Sequence, residues 1–96
     1  MLANNNLFSL SNSPLATLIE MAKKVRALRK QMGYSQAELA SRSGVSLGSI
    51  KRFERTGQIS LEALLKVANL LDRLNDFDTI FESKEVDKEI KNLFSH

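Results

Sequence analysis

Five spacings inside the stretch QAELASRSGVSLGSIKRFER, Gln36 to Arg55, constrain this chain more than any other feature. Leu39 falls where a short helix must face a core. Ala40 falls where a second helix would approach most closely and a larger side chain would push the two apart. Gly44 permits the positive φ of a tight turn, and Val45 is placed to plug the angle between the helices. Ile50 and Phe53, three residues apart, anchor the second helix from below. Each residue type is common, but the joint spacing describes two short helices at a steep angle, joined by a turn of three or four residues. A plain helical hairpin inside a bundle is the competing explanation.

The flanking sequence supplies the rest of a helical scaffold. Ser13-Pro14 is a helix start, because the hydroxyl accepts from free first-turn N–H groups and proline surrenders no needed donor. Leu18, Met21, Ala22, Val25, Leu28 and Met32 then recur at helical steps until Gly33, which predicts a helix over Pro14 to Met32. Ser35 with Glu38 reads as a capping box for the second helix, and Ser46 as the cap of a third that closes at Gly57. Ser60 caps a fourth with Leu61, Leu64, Leu65, Ala68 and Leu71 on one stripe. Asn75 or Asp76 is expected to cap a short fifth with Phe77, Ile80 and Phe81. Lys84 to Phe94 has the pattern of one more amphipathic helix. No period-two alternation is long enough for a strand. The expectation is therefore an all-α chain: a flexible arm over 1–12, a helix-turn-helix domain of five helices over 13–82, and an additional C-terminal helix within 83–96.

Composition narrows the function. The 96 residues contain no cysteine, and the lone histidine is His96, so disulfides, thiolate metal sites and Cys/His catalysis drop out. No paired carboxylates beside a base and no phosphate-binding glycine loop occur, which leaves an enzyme without machinery and predicts no metal and no cofactor. No apolar run is long enough to cross a bilayer and no secretion signal opens the chain, so a cytoplasmic location and no membrane partner are expected. Charge is unevenly spread. Between Glu20 and Gly57 nine basic residues face three acidic ones, a net of +6, whereas Gln58 to His96 carries a net of −3. A basic middle fits a polyanionic partner, although such runs are also common on solvated faces.

Turning the third helix at 100° per residue, with Ile50 and Phe53 inward, points Gly48 and Arg55 straight out, sets Lys51 and Arg52 on either side, and leaves Leu47 and Glu54 on the flank. Arg and Lys match the guanine O6 and N7 acceptors of the major groove, and Leu47 suits a thymine methyl. Ser46, Leu47, Gly48, Lys51 and Arg52 are therefore the candidate base contacts on double-stranded DNA. Gly48 lets the backbone approach closely, or else it marks a weak helix. Ser35, Gln36, Arg55, Thr56 and Gln58 are the candidate phosphate contacts, since helix N-termini and the helix-three exit favour anions. Ser35 and Ser46 also serve as caps, and Gln36 can brace a neighbouring side chain. RNA is disfavoured, because the motif's one aromatic, Phe53, belongs to the core.

Arg29 interrupts the apolar stripe of helix one, and a cation there needs a partner. Glu54 on the flank of helix three is the expected one, in a structural ion pair; a direct Arg29–phosphate contact is the alternative. At the C-terminal end, Val86, Ile90, Leu93 and Phe94 form an apolar stripe suited to a dimer or partner surface, or to packing back on the protomer's own core.

With those residues in view, VRALRKQMGYSQAELASRSGVSLGSIKRFERTGQISLEALLKVANLLD resembles the Cro/CI-type (XRE) helix-turn-helix family, a likeness extending from Val25 to Phe81. The resemblance implies the five-helix Cro/CI repressor-like DNA-binding domain, binding to palindromic operators as a homodimer, and an Arg–Glu pair between the first and third helices. Within the family, RFERTGQISLEALLKVANLLD followed by DFDTIF is similar to HipB-like antitoxins, which implies a HipA-type kinase toxin as partner. Two departures stand out: Leu47 and Gly48 occupy positions where family members often place polar readers, and ESKEVDKEIKNLFSH reads as a helix where HipB-like proteins use a strand. An autoregulatory repressor is the leading expectation and a toxin-binding antitoxin the alternative.

Overall fold

The computed structural model describes residues 13–83, which form four α-helices followed by a short 3₁₀ turn. They are α1 (Pro14–Gln31), α2 (Gln36–Ser43), α3 (Leu47–Thr56) and α4 (Leu61–Leu70), then Leu74–Phe77. The arm over 1–12, the helix expected over Lys84 to Phe94 and the stripe of Val86, Ile90, Leu93 and Phe94 lie outside the described residues.

Serine caps begin all four helices. Ser13, Ser35, Ser46 and Ser60 each accept, through Oγ, a backbone N–H three residues on. Each bond satisfies one of the donors that a helix start would otherwise leave open. Ser35 adds the reciprocal bond of a capping box, its backbone N–H donating to Glu38 Oε1 at 3.0 Å. Gly44 ends α2 in the left-handed region at φ 78°, where most residues are strained, and the chain reverses directly into α3.

The core forms where α1, α3 and α4 close over α2. Leu39, Ile50, Phe53 and Val67 are fully buried at its centre, joined by Ala22, Val25, Ala40, Val45 and Leu71. Full burial of side chains of this size stabilises the fold by about 1.5–3 kcal/mol each. The small Ala40 and the plug Val45 occupy the angle between α2 and α3 that their spacing predicts. On α4, Ala68 and Leu71 of the expected stripe are buried and Leu64 packs against the core, but Leu61 is exposed, while Val67, outside the expected stripe, is completely buried. Apolar residues recur so densely in LEALLKVANL that two neighbouring stripes fit the helical period, and packing against α2 decides between them.

The five-helix count is not met among the described residues. After α4 the chain turns through Asp72 at φ 60°, and Leu74–Phe77 closes only 3₁₀ turns. The segment has no side-chain cap; Asp76, one of the two expected caps, instead pairs with Arg73 at 2.8 Å. The backbone bonds run from residue i to i+3, as in Asp78 N–H to Asn75 O. Phe81, at φ 61° and fully exposed, cannot continue a helix. No helix among the described residues is long and apolar enough to cross a membrane.

Candidate nucleic-acid interface

α3 presents two chemically opposite sides. Ile50 and Phe53 are buried, while Gly48, Lys51, Arg52 and Arg55 are exposed and Leu47 is at the margin, 36% exposed. The helix has a single acid, Glu54, and that carboxylate is turned inward, its side chain only 5% exposed. Every charge that α3 shows to solvent is therefore positive.

Glu54 is held by two other helices at once. Arg29 of α1 donates from Nε to Oε2 at 2.7 Å and from Nη2 to Oε1 at 3.0 Å, a two-pronged pair. The third arm of the same guanidinium donates to the Tyr34 carbonyl at 2.8 Å, just before α2. Gln36, in the first turn of α2, donates from Nε2 to Glu54 Oε1 at 2.9 Å, and Arg26 lies 3.8 Å from the same oxygen. Burial pushes the Glu54 carboxyl up, but the hydrogen bonds from Arg29 and Gln36 and the charges of Arg29 and Arg26 outweigh it. The group stays below the usual carboxylate range, and ionised. The pair thus sets the orientation of α3 against α1 and α2 together.

The remaining candidates divide by what they touch. Ser46 Oγ caps α3 through Ser49 N–H at 3.1 Å and donates to Ser49 Oγ at 2.8 Å. Ser35 is likewise engaged as a cap, so neither hydroxyl stands idle. The Gln36 amide nitrogen is directed at Glu54, away from the outward face. At the far end of α3, Thr56 Oγ1 donates to the Arg52 carbonyl at 2.7 Å and accepts from Gln58 N–H at 3.1 Å. The Gln58 side chain accepts from Arg52 Nη2. Lys51 and Arg55 extend from the same exposed face.

Three further contacts complete the surroundings of α3. Arg26 lies one helical turn from Arg29, so its helical position alone put it on the Glu54 side of α1. Arg42 stacks over the Tyr34 ring, 5.1 Å from its centroid, which secures the end of α2 to the loop before it. The Arg52–Gln58 pair leaves no periodic signal, since Gln58 follows the helix. Among the described residues no cluster of His, Cys, Asp and Glu is arranged to hold a metal ion.

The arrangement can bring a cationic helix against an anionic groove, with exposed donors at Lys51, Arg52 and Arg55, of which Arg52 is held by Gln58. Sequence comparison agrees with this geometry, the helix-turn-helix family matching residues 25–74, just over half of the chain. The chain belongs to the XRE-type helix-turn-helix family. The HTH-type transcriptional regulator SinR of Bacillus licheniformis is 32% identical over 80 residues, covering 76% of this chain and 72% of SinR. A protein of Pyrococcus horikoshii, provisionally named an HTH-type transcriptional regulatory protein, is 41% identical over 51 residues. A similarly named protein of Pyrococcus furiosus is 35% identical over 51 residues. Each archaeal match takes in 52% of this chain but only 16% of the relative, so this helix-turn-helix protein spans a small part of their length. No solved structure matches the chain.

Proposed function

We propose that this helix-turn-helix protein is a sequence-specific DNA-binding transcriptional regulator, and not an enzyme, that lays α3 in the major groove. The observation that carries this reading is the inward burial of Glu54, which leaves Lys51, Arg52 and Arg55 as the charges on the exposed face of α3. Lys51 and Arg52, with Leu47 and the Gly48 backbone, are the base-facing set. Arg55, Thr56 and the N-termini capped by Ser35 and Ser46 lie along the phosphates. Gln36 acts through Glu54 rather than on a phosphate.

The finer form of the proposal is an autoregulatory repressor that binds a pseudo-palindromic operator as a homodimer. Its two recognition helices would then enter successive major grooves about 34 Å apart. Fluorescence anisotropy against a labelled duplex from upstream of its own gene, titrated with random-sequence competitor, tests it. The expected result is saturable binding that resists competitor and protects two half-sites about one helical turn apart. Equal affinity for the upstream and random duplexes would overturn the regulator reading. A chain that binds no DNA but co-purifies with the product of the neighbouring gene would point to the HipB-like antitoxin instead.

A further inference from the structure

The loop that leaves α3 is built to hold one side chain of its outward face. Thr56 Oγ1 donates to the Arg52 carbonyl at 2.7 Å and accepts from Gln58 N–H at 3.1 Å, and the Gln58 carbonyl oxygen accepts from Arg52 Nη2. These contacts close a ring from the Arg52 backbone through Thr56 and Gln58 to the Arg52 guanidinium. Gly57 lies inside that ring and anchors it. It adopts φ 84°, donates to the Phe53 carbonyl at 2.7 Å, and sits so close to α1 that a Cβ there would lie 2.8 Å from the Leu18 backbone. The loop therefore cannot shift without moving away from α1.

We propose that Gln58 is a positioning residue that fixes the Arg52 guanidinium for paired readout of a single guanine; this rests on the DNA-binding function proposed above. A free arginine side chain is rich in rotamers and loses that freedom on binding, whereas one held in advance loses less. A guanidinium carries five N–H donors in a planar fork. Gln58 engages one arm, and the donors that remain outnumber the two needed for guanine O6 and N7. A neutral amide suits this role, because it orients the fork without cancelling the charge that attracts DNA. Gln58 is thereby moved from the phosphate contacts suggested by its position after the helix to the control of a base contact.

The test compares wild type, Gln58→Ala, Gln58→Glu, Arg52→Ala and the double variant Q58A/R52A. A half-site selected by wild type from a randomised duplex pool is resynthesised with each base changed in turn. Discrimination by wild type is expected to fall at one guanine in Arg52→Ala, by on the order of tenfold or more. Gln58→Ala is expected to lose most of that same discrimination, at that position alone, with the double variant no worse than Arg52→Ala. Gln58→Glu retains an acceptor for Arg52 and adds a negative charge. It is expected to weaken binding on all sequences while preserving the guanine preference. Uniform weakening by Gln58→Ala, with the preference intact, would overturn the proposal and return Gln58 to a phosphate contact. NMR of the Arg52 guanidinium in the DNA-free protein provides a readout independent of binding: restricted rotation in wild type, released in Gln58→Ala. Equal mobility in both would also overturn it, whereas selection of no sequence by wild type would instead remove the functional reading beneath it.

Discussion

Replacing Glu54 by leucine should do more harm than any loss of packing explains. The substitution strips Arg29 of two bonds, at 2.7 and 3.0 Å, and leaves a guanidinium whose side chain is 8% exposed with one partner, the Tyr34 carbonyl at 2.8 Å. An uncompensated buried charge of this kind costs about 3–5 kcal/mol. A folded chain of this size holds about 5–14 kcal/mol in all, by the usual range per residue. At about 4–8 °C per kcal/mol, the melting temperature should fall by at least about 12 °C. Urea unfolding of wild type, Arg29→Met, Glu54→Leu and the double variant R29M/E54L at neutral pH measures the coupling. Both single variants should be strongly destabilised, and the double variant should recover to within about 1–2 kcal/mol of wild type, because no charge is then left buried alone. Acid supplies a second readout. The folded carboxyl titrates below its ordinary value of 4.5, so its contribution is complete above that value and is lost as pH falls through the lower folded one. The gap between wild type and Glu54→Leu should therefore narrow below about pH 4.5. Additive single effects, or a Glu54→Leu cost under about 1 kcal/mol, would refute the claim that this pair orients α3.

Other perturbations separate neighbouring features. Gly57→Ala should destabilise by well over 1 kcal/mol, since a Cβ would strike the Leu18 backbone at 2.8 Å, whereas Gly44→Ala, with open space around it, should cost only about 1 kcal/mol for its φ of 78°; chemical denaturation ranks the two. Ser46→Ala should cost about 1 kcal/mol by removing the acceptor for Ser49 N–H, seen as a lower unfolding midpoint at unchanged slope. Arg55→Ala should weaken DNA binding about equally on all sequences and reduce the salt dependence by about one counterion, measured from 50 to 200 mM salt.

Local chemistry was the most readable part of this chain. Four serine caps, the Gly44 turn and the wedge of Ala40 and Val45 each depend on residues within a few positions of one another, so their spacing is enough. What depends on distant neighbours was harder to see. Val67 and Leu61 differ in burial because packing against α2 decides which face of α4 is covered. The spacing of Phe77, Ile80 and Phe81 predicts a fifth helix, but the left-handed backbone at Asp72 and Phe81 redirects the chain on both sides of the 3₁₀ turn. Within the interface, helical geometry separates outward from inward residues on α3, yet it is silent on rotamers. The hydrogen bonds from Gln36 to Glu54 and from Arg52 to Gln58 join side chains on different segments, so they follow from the tertiary fold and not from helical spacing.

The contact of Gly57 with Leu18 also bears on redesign. With no room for even a methyl group, this seam is an indexing joint that sets the depth at which α3 projects, much as a shoulder limits the travel of a key. Under the proposed DNA-binding role, residues 47, 48 and 51 are the positions to exchange for new targets, since none of them takes part in that joint. If Gln58 braces Arg52 as proposed, a library that randomises position 52 while keeping Gln58 constant places every new side chain beside a partner suited to arginine, so retargeting calls for the two to be varied together.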